Sequence, residues 1–77
     1  MGINIKEKFS FITAEDLKEG DIIAEIPLNY REFRRLHKSK ITHIKVEIFN
    51  VLLKLHNLDK DVHFNRRTTC SKLFLKF

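Results

Sequence analysis

Bulky apolar residues alternate with small or polar ones through Phe9-Ser10-Phe11-Ile12-Thr13, and Ile3 and Ile5 carry a similar period upstream. A period of two marks a strand with one buried face, so a strand is expected near 8–13, extending back toward residue 3. Ala14 to Gly20 reads as a short helical turn or tight loop. Gly20 closes it, and Glu15 and Asp16 suit its first turn. Asp21-Ile22-Ile23-Ala24-Glu25-Ile26 is a second strand, ended by Pro27, which has no N–H to give a ladder. The two strands are expected to pair as an antiparallel hairpin.

Beyond Pro27 the period changes. Asn29 is a good N-cap, and Glu32 stands where the glutamate of a capping box would stand. Tyr30, Phe33 and Leu36 fall on one face of a helix, with Arg31, Arg34, Arg35 and Lys38 elsewhere, which predicts a short amphipathic helix at about 29–38. Ser39-Lys40-Ile41 follows as a turn. The stretch after it supports two readings. Residues 41–48 alternate and are β-branched, as in a strand. Yet Ile41, Ile44, Ile48, Val51, Leu52 and Leu55 also form a helical stripe, and Thr42 can cap it. A strand at 41–48 would leave only about eight residues for a following helix, so one helix over 42–57 is preferred. The tail reads as a hairpin: Val62 and Phe64 alternate with His63 and Asn65, Arg67-Thr68-Thr69 turns the chain, and Leu73, Leu75 and Phe77 alternate again.

The expected order is therefore strand, strand, helix, helix, strand, strand. This is an α+β class chain with the outline of a winged helix: a β-hairpin, two helices and a C-terminal β-hairpin. The likeness lies in arrangement alone, and fold analogy is a weak warrant for function. Its 77 residues make one domain, 1–77. There is no internal repeat, low-complexity tract or linker. A hydrophobic fraction of 43% with seven Phe is enough for a core and argues against a disordered chain. Cys70 is the only cysteine, so an internal disulfide is excluded. With a start lacking the apolar core of an export signal, this predicts a reducing, cytoplasmic setting and no membrane partner.

Charge is unevenly placed. Residues 1–27 hold three Lys against six acids, while residues 28–77 hold twelve Lys or Arg against four. A concentrated positive field matters more for binding an anion than the net charge of +5 does. Arg31, Arg34, Arg35, Lys38, Lys40 and Lys45 fall on the predicted helices and their turn. Arg66, Arg67 and Lys72 belong to the hairpin, Arg66-Arg67 at or near its tip. These nine are the expected nucleic-acid contacts, since clustered cations gain from counterion release and an arginine fork suits phosphate. Duplex DNA is expected over RNA. The second helix would enter the major groove, where Thr42, His43 and Asn50 are the residues able to reach base edges. The bland alternative is a solvated basic face. A further difficulty is that Val46, Phe49 and Leu53 make the second helix apolar nearly all round, which suits a buried helix or a dimer interface better.

Other chemistry is thinner. His37, His43, His56, His63 and Cys70 show no short metal-ligand spacing, so neither metal nor cofactor is expected. Nothing positions Cys70 against a base, and Glu15, Asp16, Glu19 and Asp21 more simply solvate a loop, so no enzyme is expected. Tyr30 among arginines is the one candidate for base stacking. Two functions follow: a small DNA-binding regulatory module contacting phosphates, with a homodimer as its expected state, or a non-enzymatic interaction module. The second would be an adaptor or inhibitor of viral or phage type, docking an acidic protein partner or associating through its apolar helix face.

Overall fold

The computed structural model describes residues 8–28 and 36–77. Its elements are β1 (Ser10–Thr13), a 3-10 turn (Ala14–Asp16), β2 (Ile22–Ala24), β3 (Ser39–Val46), β4 (Asn50–Asn57), β5 (Val62–Thr69) and β6 (Leu73–Lys76). They form one six-stranded sheet in the order β1-β6-β2-β3-β4-β5, with every neighbouring pair antiparallel. The α+β, winged-helix-like expectation is overturned, because no α-helix exists among the described residues. The helix expected at 29–38 lies largely outside them, and residues 36–38 are irregular.

The helix expected at 42–57 is two strands joined by a short loop. The reason lies in one residue. Ile41 opposes Leu55 and His43 opposes Lys54, so Thr42 is an extra residue in β3, a β-bulge. Its hydroxyl donates to the Lys54 carbonyl at 3.0 Å. The bulge shifts the alternation by one, so that Ile41 and Ile44, three apart, share a face. That spacing imitates a helical stripe. Val51, Leu53 and Leu55 in β4 keep the ordinary period of two, and all three are buried.

The expected hairpin of the first two strands does not form. β6 lies between them, pairing with β1 on one side and with β2 on the other. Its sequence explains the place: Phe74 and Leu75 are consecutive and both fully buried, so β6 is covered on both faces, as a central strand is. The expected tail hairpin fails for the same reason. β5 pairs with β4 instead, so Arg67-Thr68-Thr69 is strand and the chain turns at Cys70–Lys72.

Directly opposed residues share a face, so the register assigns every strand residue to one of two sides. One side carries Ile12, Phe74, Ile23, Ile41, Leu55, Leu53 and Val51, and with Ala14 and Leu17 from the 3-10 segment these make the core. The sheet curls around this side. β5 and β6 stand four strand spacings apart, about 19 Å in a flat sheet. Yet the Arg66 guanidinium of β5 lies 5.8 Å from the Phe74 ring centroid of β6. Arg66 and Lys72 also both pair with Glu25, just after β2. The core side is therefore concave and the other side convex.

Candidate polyanion-binding face

The three strands of the β3-β4-β5 meander contain no Asp or Glu, but five Lys or Arg and three His. Register and the Thr42 bulge sort these side chains. On the convex side they form three rows running across the strands: Lys45–Leu52–Arg67, His43–Lys54–Asn65 and Lys40–His56–His63. Rows are about 7 Å apart and strands about 5 Å apart, so Lys40, Lys45, Lys54 and Arg67 fall within a patch of about 10 by 14 Å. Without the bulge, Lys45 and His43 would point into the core side instead. Two shallow depressions, about 580 and about 520 Å3, lie against this part of the sheet, and His43, Lys54 and Asn65 line both.

None of Lys40, Lys45, Lys54 and Arg67 forms an ion pair among the described residues. Four other cations are engaged, while Lys8, Lys18 and Lys60, outside the strands, form no ion pair among the described residues. Arg66 pairs with Glu25, Lys72 lies 3.3 Å from the same carboxylate, and Lys76 lies 3.6 Å from Asp21. Arg66 and Lys72 also lie over the Phe74 ring, and Lys38 lies 4.7 Å above Phe77. Of the nine cations singled out in the sequence, Lys40, Lys45 and Arg67 are thus brought together. Arg66 and Lys72 are not part of that face, Lys38 precedes β3 and lies over Phe77, and Arg31, Arg34 and Arg35 lie outside the described residues. The expectation that Arg66 and Arg67 act together at a hairpin tip is corrected: they are consecutive residues in mid-strand and point to opposite sides of the sheet.

Sequence reasoning missed Lys54 as a contact, because a helix at 42–57 gave it no relation to β5. It also missed the meeting of His56 and His63. These oppose each other across β4 and β5, and their rings stack with centroids 4.3 Å apart and planes 9° from parallel. The Nε2–H of His56 donates to Asp61 Oδ1 at 2.5 Å. Asp61 sits in the β4–β5 turn at φ 52°, a left-handed conformation that Asp tolerates better than most residues. Asn57 Oδ1 braces the same turn by accepting the N–H groups of Asp59 and Lys60, each at 2.9 Å. The pairing was visible in principle. A four-residue turn after Asn57 places His56 opposite His63 by counting alone.

At the other end of the meander, Ile48 and Phe49 form an apolar loop tip, 87% and 78% exposed, with Val46 half-exposed beside it. The Cys70 thiol faces the Glu47 and Ile48 carbonyls at 3.6 and 3.8 Å, which ties the tip to the turn before β6. Among the described residues no three His, Cys, Asp or Glu are grouped to hold a metal ion, and no helix is long and apolar enough to cross a membrane.

Fold and face together define a small antiparallel β domain with a convex, cationic surface whose three strands hold no acid, Asp61 standing at its margin against His56. No family model matches the chain, and neither a curated protein nor a solved structure matches it. The winged helix, the recognition helix in a major groove and the DNA-binding transcription regulator built on them are withdrawn: the helix that carried them is two strands of the sheet, and no relative supports them.

Proposed function

We propose that the domain binds nucleic acid through the convex face of β3, β4 and β5. One observation carries this reading. Four cations with no ion pair among the described residues converge there from three strands that hold no acid, while Arg66, Lys72 and Lys76 are matched with carboxylates elsewhere. Cations left without carboxylates on one surface repel each other, and a polyanion relieves that repulsion while releasing its own counterions.

Salt dependence tests it. Four phosphate contacts on a single strand give a log–log slope of about −2.8, so affinity falls about 50-fold between 50 and 200 mM salt. The triple variant Lys45→Ala, Lys54→Ala, Arg67→Ala keeps one contact, and the same change in salt costs it about 3-fold. Absence of binding at low salt, or a salt slope unchanged in the triple variant, refutes the proposal.

A second reading, the interaction module, is favoured by the Ile48–Phe49 tip. Exposed bulky apolar residues on a braced loop suit a protein contact better than a phosphate. Sedimentation of the wild type beside Ile48→Ser, Phe49→Ser, with and without nucleic acid, separates the two. Association abolished by the serines and indifferent to nucleic acid supports this second reading.

A further inference from the structure

We infer that the ligand is single-stranded, and that the outer face of His63 is a platform on which one of its bases stacks. This rests on the nucleic-acid reading above and adds to it. The stacked imidazoles stand in the same row as Lys40, on the face that carries Lys54 and Arg67. One ring face of His63 is covered by His56. The other looks outward past β5, which is an edge strand with no neighbour among the described residues. His56 is held in turn by Asp61, and its side chain is only 26% exposed, so the inner ring of the pair is fixed. The result is a preoriented aromatic surface beside unpaired cations, the combination that holds unpaired bases and their phosphates together.

The curvature of the sheet favours the same ligand. A duplex is stiff over about 150 base pairs and meets a convex patch along a line, with its bases stacked on each other and closed to His63. A single strand bends over the patch and offers a free base at the edge. Asn65, next along β5 on the same face, lies about 7 Å from His63, within reach of the edge of a base stacked there.

The experiment titrates fluorescein-labelled oligouridylate, the same strand annealed to its complement, and inorganic polyphosphate, which has charge but no bases. Wild type is compared with His63→Ala and His63→Phe, each first checked for an unchanged circular dichroism spectrum and melting curve. Loss of one stacked base weakens single-strand binding by about 5-fold, the low end for base–aromatic stacking. His63→Ala is expected to show that loss with oligouridylate and no change with polyphosphate, and His63→Phe to bind oligouridylate at least as well as wild type. A single strand carrying 2-aminopurine should be quenched by wild type and by His63→Phe, and less by His63→Ala.

The inference is overturned if the duplex binds as tightly as the single strand. It is also overturned if His63→Ala leaves oligouridylate binding unchanged, or weakens oligouridylate and polyphosphate equally, which would make His63 a charge only. In those cases the proposed function stands as long as the lysine and arginine variants still lose binding. If wild type binds neither strand nor polyphosphate, the proposed function itself has failed.

Discussion

Arg66 and Arg67 are neighbours in sequence with opposite assignments, and replacing each by Ala separates the two sides of the sheet. Arg66 faces the concave side, where it pairs with Glu25 and lies over Phe74. Both partners of the ion pair are more than a third exposed, so the pair contributes only about 0.5–1 kcal/mol. The cation–π contact adds about 0.5–1 kcal/mol and the buried stem a little more. Arg66→Ala should therefore cost about 1–2 kcal/mol. A degree of stability of 1 kcal/mol corresponds to about 4–8 °C in a domain of this size, so Tm should drop by about 5–15 °C. Arg67 faces solvent, and its replacement should change stability by less than about 0.5 kcal/mol. Its loss removes one phosphate contact, which flattens the salt slope on a single strand by about 0.7 and weakens binding at 0.1 M salt by about 5-fold. Thermal melts and fluorescence titrations over a salt series measure both quantities on both variants. If Arg66→Ala weakens binding as much as Arg67→Ala while melting normally, the assignment of faces is wrong.

Three further outcomes follow from the register and the turns. Deleting Thr42 removes the extra residue and leaves Ile41 opposite Leu55 and His43 opposite Lys54, so both faces keep their side chains. The variant should keep its cooperative melt, and Thr42→Val, which keeps the residue and loses only its hydroxyl bond to Lys54, should cost about 1 kcal/mol and stay folded. At Asp61, the left-handed backbone makes Asp61→Asn nearly neutral by chemical denaturation and Asp61→Val costly by about 1–2 kcal/mol. At the tip, Ile48→Ser with Phe49→Ser should leave the melting temperature within a few degrees and reduce binding of a hydrophobic dye, because both side chains are already in water.

Much of this fold is written in local patterns, and the failures have identifiable causes. The strands at 10–13 and 22–24, the 3-10 turn between them and the strand character of 62–65 and 73–76 are legible from alternation and from Gly20, whose φ of 89° suits glycine. The helix expected at 42–57 fails because one inserted residue, Thr42, converts a period of two into a spacing of three between Ile41 and Ile44. The exposed Ile48 then extended the false stripe. A bulge has no composition of its own, so periodicity cannot distinguish it from a helical turn over so short a span. Strand order was also out of reach. That β6 divides β1 from β2 depends on which strand can be buried on both faces, and Phe74-Leu75 is the only hint of it. The basic surface was half legible: the excess charge of the later residues was plain, but which cations share a side follows only from the register.

The crowding of cations has a thermodynamic consequence that salt and ligand should reveal with opposite signs. On the backbone grid, Lys45, Lys54 and Arg67 lie about 8–10 Å from one another, and Lys40 about 8 Å from Lys54. In water-like dielectric the six pair repulsions sum to about 2 kcal/mol before screening. At 0.15 M salt the screening length is about 8 Å, and more than half of that is removed. Without a ligand, raising salt from 10 to 150 mM should therefore stabilise the domain by about 1 kcal/mol, or about 4–8 °C. With oligouridylate at about 100 times its Kd in low salt, binding itself should contribute about 2.7 kcal/mol, and adding salt should then lower Tm as the complex dissociates. The two melting curves, Tm against salt with and without the strand, should converge from opposite directions. In Lys54→Ala, Arg67→Ala the ligand-free curve should flatten, since most of the close pairs are gone. Salt also screens the Arg66, Lys72 and Lys76 ion pairs, which both proteins share, so the difference between them is decisive: if the ligand-free wild type gains no more from salt than the double variant, the four cations do not repel one another on one face, and the surface on which the nucleic-acid reading depends does not exist.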